Sequence, residues 1–173
     1  MALRNRPRGK GGGVALCAKN GIDCTELSLK NSNAQTESLW VKIRDQSNKG
    51  NFVVSVYYRL AVQGEEVDEK FFLQLLEASC LQAMILTGNC NHLDICWKNG
   101  KANGKQSRKL LECIEEKFLV QVMESLTTGE ALLDLLFTKM EELIRAVKIG
   151  VGCSLGCSSH ALVEFPILRG TGW

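Results

Sequence analysis

Polar side chains follow or interrupt three apolar segments of this chain, and their types suit acid–base or phosphate chemistry. Asn89, Asn91 and His92 follow the run AMILT, Asp134 lies inside ALLDLLF, and His160 precedes ALVEFPIL. A carboxylate flanked by leucines is costly to bury unless it is paired, and a histidine paired with it can act as a general acid or as a cationic phosphate contact. The pattern is therefore compatible with an Asp134–His160 pair and equally with a turn or strand-end aspartate and a histidine in a surface loop.

Strands and helices alternate along the chain and would hold these residues at strand ends. Residues 37–45 and 51–60 have the patterns of two strands, and the Gly-containing turn between them predicts an antiparallel hairpin. Asp68 and Ser107 are predicted to cap two amphipathic helices. The apolar run 83–87 predicts a strand buried on both faces, with polar residues at its carboxyl end facing a crevice. The whole pattern predicts a single α/β domain with interleaved strands and helices.

Length and composition place the chain among ordinary globular proteins. It has 173 residues, of which 45% are hydrophobic and 23% charged, with only 2 Pro, so we expect one domain and not a chain disordered throughout. No apolar run approaches the roughly 20 residues that cross a bilayer, and no secretory signal is recognisable. We therefore expect a protein that is neither in a membrane nor secreted, with its 8 cysteines reduced.

The charges are distributed unevenly along the chain. Residues 1–22 carry five basic side chains and no acidic one, although the formal charge of the whole chain is only +2. A basic arm on a mildly acidic body can contact nucleic acid, and it is also typical of a solvated terminus. We assign residues 1–10 to a basic tail and residues 11–173 to the folded domain.

Three segments, in order along the chain, closely resemble the motifs of one enzyme family. TGNCNHLDICW, TTGEALLDLLFTK and LGCSSHALVEFPILRG are similar to the Gly-Asp-Phe-Asn-His, Leu-Asp-Leu and Ser-Asp-His motifs in the endonuclease domains of non-long-terminal-repeat retrotransposons, the LINE- and jockey-like elements. GGGVALCAKNGIDC, SLWVKIRD and VYYR resemble the strands that precede the first motif. The resemblance covers nearly the whole chain.

This resemblance implies both a fold and an activity. The family has the endonuclease/exonuclease/phosphatase fold, in which two packed β-sheets are flanked by helices, and it is related to abasic-site endonucleases. Its members use a divalent metal, usually Mg²⁺, to polarise a DNA phosphate while a water activated by an aspartate attacks in line. The parent domain would nick chromosomal DNA in the nucleus and expose a 3′ hydroxyl for the reverse transcriptase of the same element.

Four residues match positions to which the family assigns a role. By resemblance, Asn91 positions the scissile phosphate, and Asp134 orients and charges the imidazole of His160. Tyr58 occupies the position of a tyrosine that contacts a phosphate. Arg59, which follows it, is a further candidate for DNA binding, together with Asn91 and His160.

Other positions depart from the family pattern where the chemistry needs a carboxylate. Asn89 replaces the aspartate that activates water, and an amide cannot take a proton near neutral pH. Ser159 replaces an aspartate that binds the metal, so one oxygen ligand for a hard cation is lost. Cys90 replaces a packing Phe, and residues 1–10 do not match the family's first strands, which carry an Asn and a metal-binding Glu. We therefore expect a truncated, catalytically inactive relative in which Mg²⁺ binding is weakened or lost.

Two other functions remain open at this stage. Cys153, Cys157 and His160 have a spacing close to that of zinc ligands. A fourth ligand could come from the first motif region, at Cys90, His92 or Cys96. Alternatively, the residues that contact phosphates hold DNA that the chain cannot cut, and this binding would weaken steeply with salt.

Overall fold

The computed structural model describes residues 2–5, 13–18, 20–31, 36–44, 51–81, 83–123, 134–139, 144, 147–150, 162–164 and 166–167. The strands and helices are β1 (Ala2–Asn5), β2 (Gly13–Leu16), β3 (Asp23–Glu26), β4 (Glu37–Arg44), β5 (Asn51–Tyr58), α1 (Glu65–Ala78), β6 (Met84–Asn89), β7 (Ile95–Cys96), β8 (Lys101–Ala102), α2 (Lys105–Glu116), β9 (Val120–Gln121), β10 (Asp134–Thr138), β11 (Lys148–Gly150) and β12 (Leu162–Glu164). Within these ranges, neither helix has the length and apolar character needed to span a membrane.

A six-stranded central sheet holds the segments that resemble the first two family motifs. Its strand order is β3-β4-β5-β6-β10-β9. β4 and β5 form an antiparallel pair with Glu37 opposite Tyr58 and Arg44 opposite Asn51, which confirms the predicted hairpin. β5 and β6 are parallel, and α1 lies in the crossover connection that parallel neighbours require. β10 is antiparallel to β6, so the carboxyl ends of β5 and β6 meet the amino end of β10.

One face of the central sheet packs against both helices. Trp40, Tyr57 and Leu86 are buried there with apolar side chains of α1 and α2 in the largest hydrophobic cluster. The rings of Tyr57 and Phe71 stack with their centroids 3.5 Å apart and their planes 4° from parallel. Because each buried aromatic ring removes a large apolar area from water, these contacts fix α1 over β5.

The opposite face of the sheet packs against the smaller strands. Val54, Ile85 and Leu136 form a second buried cluster, against which Leu16 of β2 packs. Val14 of β2 is buried with two residues of β4 in a third cluster. The pairs β1–β2 and β11–β12 form small antiparallel sheets of their own. The predicted α/β class, with β layers flanked by helices, is confirmed.

Both helices begin earlier than the sequence pattern predicts. Their N-cap residues are Gly64 and Gly104, neither of which can donate or accept through a side chain. The predicted caps, Asp68 and Ser107, lie inside the first turn of α1 and α2 instead. Both side chains bond to the loops that follow β5 and β6, so these two cap predictions are wrong.

Candidate functional site at the carboxyl ends of β5 and β6

Three residues singled out from the sequence occupy neighbouring positions across the central sheet. Tyr58 is the last residue of β5 and pairs with Asn89, the last residue of β6. Asn89 also pairs with Asp134, the first residue of β10. Glu37 of β4 continues the same row beyond Tyr58. The sheet register therefore brings together residues that lie far apart in the sequence. β6 extends two residues beyond the predicted strand 83–87, because its backbone remains paired with β5 up to Tyr58.

Gly88 is the residue that allows the two strands to stay paired up to Asn89. Its φ angle is +134°, a backbone conformation that residues other than glycine rarely adopt. A Cβ atom at this position would lie 1.9 Å from the carbonyl oxygen of Tyr57. Only glycine is therefore compatible with this approach of β6 to β5.

The side chain of Asn89 stabilises the loop that follows it. Its Oδ1 accepts a hydrogen bond from the backbone N–H of Asn91 over 3.0 Å, and its backbone carbonyl accepts one from the N–H of Arg59 over 2.8 Å. Asn89 is only 5% exposed. An aspartate carboxylate could accept the same hydrogen bond, so the amide keeps the structural part of a carboxylate's role and lacks its ability to accept a proton.

Asn91 joins the loop after β6 to the loop after β5. Its φ angle is +45°, in the left-handed region that Asn tolerates better than most residues. Its Nδ2 donates to the backbone carbonyl of Arg59 over 2.5 Å, and Nη1 of Arg59 donates back to the carbonyl of Asn91 over 3.3 Å. These reciprocal bonds hold the two loops together.

Arg59 forms a buried ion pair with Asp68 of α1. Nε and Nη2 of Arg59 each donate to one carboxylate oxygen of Asp68 over 2.8 Å, and these hydrogen bonds raise the pKa of the guanidinium. Gln63 donates to Asp68 over 2.8 Å and to the hydroxyl of Tyr57 over 3.1 Å. Burial raises the pKa of Tyr57 well above its usual value, so its hydroxyl stays neutral. The guanidinium thus bonds inward and positions the loops of the site.

His92 begins a second chain of hydrogen bonds that anchors the loop after β6 to α2. Its Nδ1 lies 2.8 Å from Oγ of Ser107, and Ser107 donates to Oδ1 of Asp94 over 2.5 Å. Because the single hydroxyl proton goes to Asp94, Ser107 can only accept from His92, whose Nδ1 must carry the proton. Burial, and then the positive charge of Arg59, lowers the pKa of His92 to about 4, so the imidazole is neutral at pH 7.

Asp94 stabilises the start of α2 from outside the helix. Its Oδ2 accepts hydrogen bonds from the backbone N–H groups of Asn103 and Gly104, over 3.1 and 2.5 Å. Although burial opposes it, hydrogen bonds from Ser107 and from the N–H of Gly104 lower the pKa of Asp94. The carboxylate therefore stays ionised and supplies the cap that Gly104 lacks.

Cys90 points to the side of the sheet that faces the helices. It is 2% exposed and lies in the cluster that also contains Tyr57 and Leu110. The residue is thus a packing group here, as the Phe of the family motif is expected to be. Cys96 is exposed on β7, and His92 is bonded to Ser107, so the three proposed fourth zinc ligands differ sharply in their surroundings.

Several predicted site residues lie outside the described residues. They are Cys153, Cys157, Ser159 and His160. The Asp134–His160 pair and the zinc hypothesis therefore stay predictions.

The residues that support the loops could not be identified from the sequence. Asp68 and Ser107 were visible only as polar residues near helix starts, and Gln63 and Asp94 carried no pattern of their own. The available signal was that Asp94 and His92 lie just beyond a buried strand, where polar residues need partners. It did not identify which partners they have.

The arrangement of strands around this row is the endonuclease/exonuclease/phosphatase fold. One similar solved structure is the endonuclease domain of TRAS1, a telomere-specific non-LTR retrotransposon, with a TM-score of 0.65 and 18% identity over 85% of this chain and 67% of that domain. Another is an endonuclease/exonuclease/phosphatase family protein from Leptotrichia buccalis C-1013-b, with a TM-score of 0.52 and 12% identity over 87% of this chain and 62% of that protein. No protein-family profile and no curated protein sequence matches the chain. The chain spans about two thirds of the length of these proteins, and identities this low establish the fold alone.

Endonucleases of this fold generally depend on Mg²⁺. Within the described ranges, no group of three or more His, Cys, Asp and Glu residues is placed to hold a metal ion. At the end of β6, Oδ1 of Asn89 accepts a hydrogen bond from Asn91, and an amide oxygen is neutral where Mg²⁺ sites use carboxylates. The described residues therefore show no Mg²⁺ site.

Proposed function

We propose that this chain is a remnant of a retrotransposon DNA endonuclease that still binds DNA and does not cut it. The observation that carries the proposal is Asn89, which lies at the end of β6 between Tyr58 and Asp134 and bonds to Asn91 as a loop-stabilising residue. The family motif has the water-activating aspartate here. Loss of a general base typically lowers a reaction rate by roughly 10²–10⁴-fold. In addition, Ser159 stands where the family motif has an aspartate that binds the metal.

The residues proposed to contact DNA are those that the family motifs place near the scissile phosphate. Tyr58 lies next to Asn89 in the sheet, and Asn91 is held in a left-handed loop conformation by Arg59. His160, oriented by Asp134, would supply a positive charge to the same phosphate. Arg59 is ion-paired with Asp68, so we assign it a positioning role in place of a DNA contact.

The parent activity would have served a reverse transcriptase. A nick in chromosomal DNA exposes a 3′ hydroxyl, which is the primer that such an enzyme extends, and this chemistry would take place in the nucleus. The fold shared with the TRAS1 endonuclease domain and the three ordered motifs support this assignment. Mg²⁺ would belong to the parent enzyme, whereas the described residues of this chain include no group of three or more His, Cys, Asp and Glu placed to hold it.

Nicking of supercoiled plasmid DNA in Mg²⁺ or Mn²⁺ tests the catalytic part of the proposal. We expect no nicking by the unmodified chain, and a gain of nicking when the double variant Asn89→Asp/Ser159→Asp also carries the family's first strands with their Asn and metal-binding Glu. Asn51→Asp, at the opposite end of β5, serves as the control for an added negative charge. Nicking by the unmodified chain that is abolished by His160→Ala would show that the chain is an active enzyme and would refute the proposal.

Binding of a fluorescent duplex tests the other part. If the chain contacts several phosphates, the logarithm of its binding constant should fall linearly with the logarithm of the salt concentration, with a slope of about −0.9 for each phosphate neutralised. No measurable binding at low salt would refute the proposed DNA-binding function.

A further inference from the structure

The two helices begin at the same end of the molecule and carry opposite charges there. Lys105 of α2 pairs with Glu65 of α1 over 3.1 Å, and Lys109 pairs with Glu69, so the helices run parallel from the carboxyl ends of β5 and β6. The first turn of α1 contains three acidic residues, as the helix dipole favours, whereas the first turn of α2 contains none. Helix stability therefore does not explain why α2 begins with basic residues.

The basic residues extend from the β7–β8 hairpin into α2. Residues 95–111 include five basic side chains and no acidic one, and two of the five are those paired with α1. The other three are Lys98, Lys101 and Arg108, which are exposed and form no ion pair within the part of the chain that the structure describes. We call these three residues the basic hairpin.

The basic hairpin packs against the core, which fixes its backbone. Ile95 is 8% exposed in the largest hydrophobic cluster, and the ring centroids of Trp97 and Phe137 lie 5.5 Å apart. Nη1 of Arg108 donates to the backbone carbonyl of Asn103 over 2.7 Å, which places the guanidinium beside the end of β8. A charged surface on a fixed backbone loses less conformational freedom when it binds a ligand than one on a mobile loop.

The basic hairpin adjoins the loop that carries one of the proposed DNA contacts. Ser107, which precedes Arg108, lies 2.8 Å from the ring of His92, and His92 directly follows Asn91. Duplex DNA carries one negative charge for about every 1.7 Å of its axis. A duplex held at Asn91 therefore also brings phosphates to the basic hairpin.

Two acidic residues flank the basic hairpin along the chain and leave positive charge in excess. The carboxylate of Asp94 accepts three hydrogen bonds from residues at the start of α2, so it is directed toward that helix. Glu112 lies four residues beyond Arg108, about 6 Å further along the axis of α2. The three cations outnumber these two anions, so the surface favours a phosphate.

We propose that the basic hairpin binds the sugar–phosphate backbone of duplex DNA, with Lys98 and Lys101 each neutralising one phosphate. This inference rests on the proposed DNA-binding function and adds a contact surface that lies outside the three family motifs. Contacts to phosphates hold a protein on the duplex and carry no base sequence information. Binding also accounts for the basic start of α2, because the duplex supplies the negative charge that the first turn of this helix lacks.

Fluorescence anisotropy of a labelled 20-base-pair duplex, measured with the full chain over a series of salt concentrations, tests the inference. In Lys98→Gln/Lys101→Gln, the slope of the logarithm of the binding constant against the logarithm of the salt concentration should be smaller in magnitude by about 1.8, which is about 0.9 for each phosphate no longer neutralised. At 100 mM salt the variant should bind at least about tenfold more weakly. Each single variant should show about half of the change in slope.

Lys30→Gln/Arg44→Gln is the matched control, because it removes the same charge far from the basic hairpin. The backbone N–H of Lys30 bonds to Glu77 over 3.1 Å, roughly 18 Å from the start of α1. Arg44 is the last residue of β4 and pairs with Asn51, at the opposite end of the strands from the proposed site. The control should keep the slope of the unmodified chain. Lys98→Arg/Lys101→Arg preserves the charge and should bind within about twofold of the unmodified chain.

Each alternative outcome has a distinct meaning. If Lys98→Gln/Lys101→Gln keeps the affinity and slope of the unmodified chain, the inference is wrong and the proposed DNA-binding function stands. If the control loses as much affinity, binding follows the total charge and the inference is again wrong. A loss in the arginine variant as large as in the glutamine variant would also overturn it, because the charge is then not what matters. If the unmodified chain binds no duplex at low salt, the proposed function and the inference both fail. Thermal melting verifies that every form is folded.

Discussion

The two sides of the loop after β6 differ in how their polar groups are satisfied. On the side of the helices, His92, Ser107 and Asp94 form a continuous chain of hydrogen bonds, and Arg59 makes a bidentate ion pair with Asp68. On the other side, Asn89, Tyr58 and Asp134 lie in a row across the sheet, and the amide of Asn89 uses only its oxygen within the described residues. The first side supports the loop, and the second contains residues of the proposed DNA-binding site.

This difference would allow the site to lose the proposed chemistry without a change in the conformation of the loop. The hydrogen bond from Asn91 requires an acceptor at position 89 and does not require a charge. An Asp-to-Asn change therefore leaves the loop in place, because the supporting contacts on the helical side do not involve position 89. In the proposed function, the loss of a water-activating carboxylate is therefore compatible with a loop that keeps its conformation.

The largest effect is expected from Gly88→Ala, which forces β6 away from β5. The new Cβ would lie 1.9 Å from the carbonyl oxygen of Tyr57 at a φ of +134°, so the strands must separate or the chain must refold locally. We expect a loss of about 4 kcal/mol or more in the free energy of unfolding, measured by urea denaturation. Gly100→Ala is the control, because Gly100 also has a positive φ and no atom within 4 Å of its Cβ position, and it should lose only about 1 kcal/mol. Equal losses of unfolding free energy in the two variants would contradict the prediction, because they would mean that the contact with Tyr57 is relieved at no cost.

A smaller loss is expected from Asp68→Asn, which leaves the guanidinium of Arg59 buried without its counter-ion. Removal of one partner from a buried ion pair typically costs about 3–5 kcal/mol, and the two side chains here are 11% and 1% exposed. Urea denaturation again gives the measurement. The control is Glu65→Gln, which breaks an exposed pair with Lys105 and should cost less than about 1 kcal/mol. A similar small loss for both variants would contradict the supporting role assigned to the buried pair.

The third prediction concerns the pH dependence of stability on the helical side. The pKa of His92 is lowered to about 4 in the folded protein, whereas an unfolded histidine titrates near 6.5. The unfolded chain then binds more protons between these values, so stability falls as the pH decreases through this window. We expect a loss of about 2 kcal/mol between pH 7.5 and pH 5. In His92→Asn, whose amide nitrogen can still donate to Ser107, this part of the pH dependence should disappear, and an unchanged pH profile would refute the assignment.

The sequence predicted local features of the fold well and its tertiary contacts poorly. The alternation in residues 37–45 and 51–60 was sufficient for the β4–β5 hairpin, because strand periodicity and a Gly-containing turn are local signals. The strand at residues 83–87 was also found, although its extension to Asn89 depends on pairing with β5. Such an extension is decided by the neighbouring strand and leaves no periodic pattern.

The misassigned helix caps have the same physical origin. Asp68 and Ser107 are residue types that commonly cap helices, so the sequence pattern favours that role. In the structure each of them bonds to a loop that is adjacent only after folding, Asp68 to Arg59 and Ser107 to His92. A polar residue near a helix start can bond either to the N–H groups of its own helix or to a group on a distant loop. The sequence carries no local signal that distinguishes these two partners. The family motifs contain the residues to which the family assigns a chemical role. They do not include the residues that hold the loops in place, so the resemblance did not identify these contacts.

The smallest effect is expected at position 89 itself, and it separates the structural role of the side chain from its charge. Asn89→Ala removes the acceptor for the N–H of Asn91 and should cost about 1–3 kcal/mol, as for other buried groups left without a hydrogen bond. Asn89→Asp keeps an acceptor for this N–H, so we expect it to cost less than Asn89→Ala. Urea denaturation of both variants at pH 7.5 gives the comparison. If Asn89→Asp is as destabilising as Asn89→Ala, the loop depends on the neutral amide, and the exchange of a carboxylate for an amide was not structurally silent.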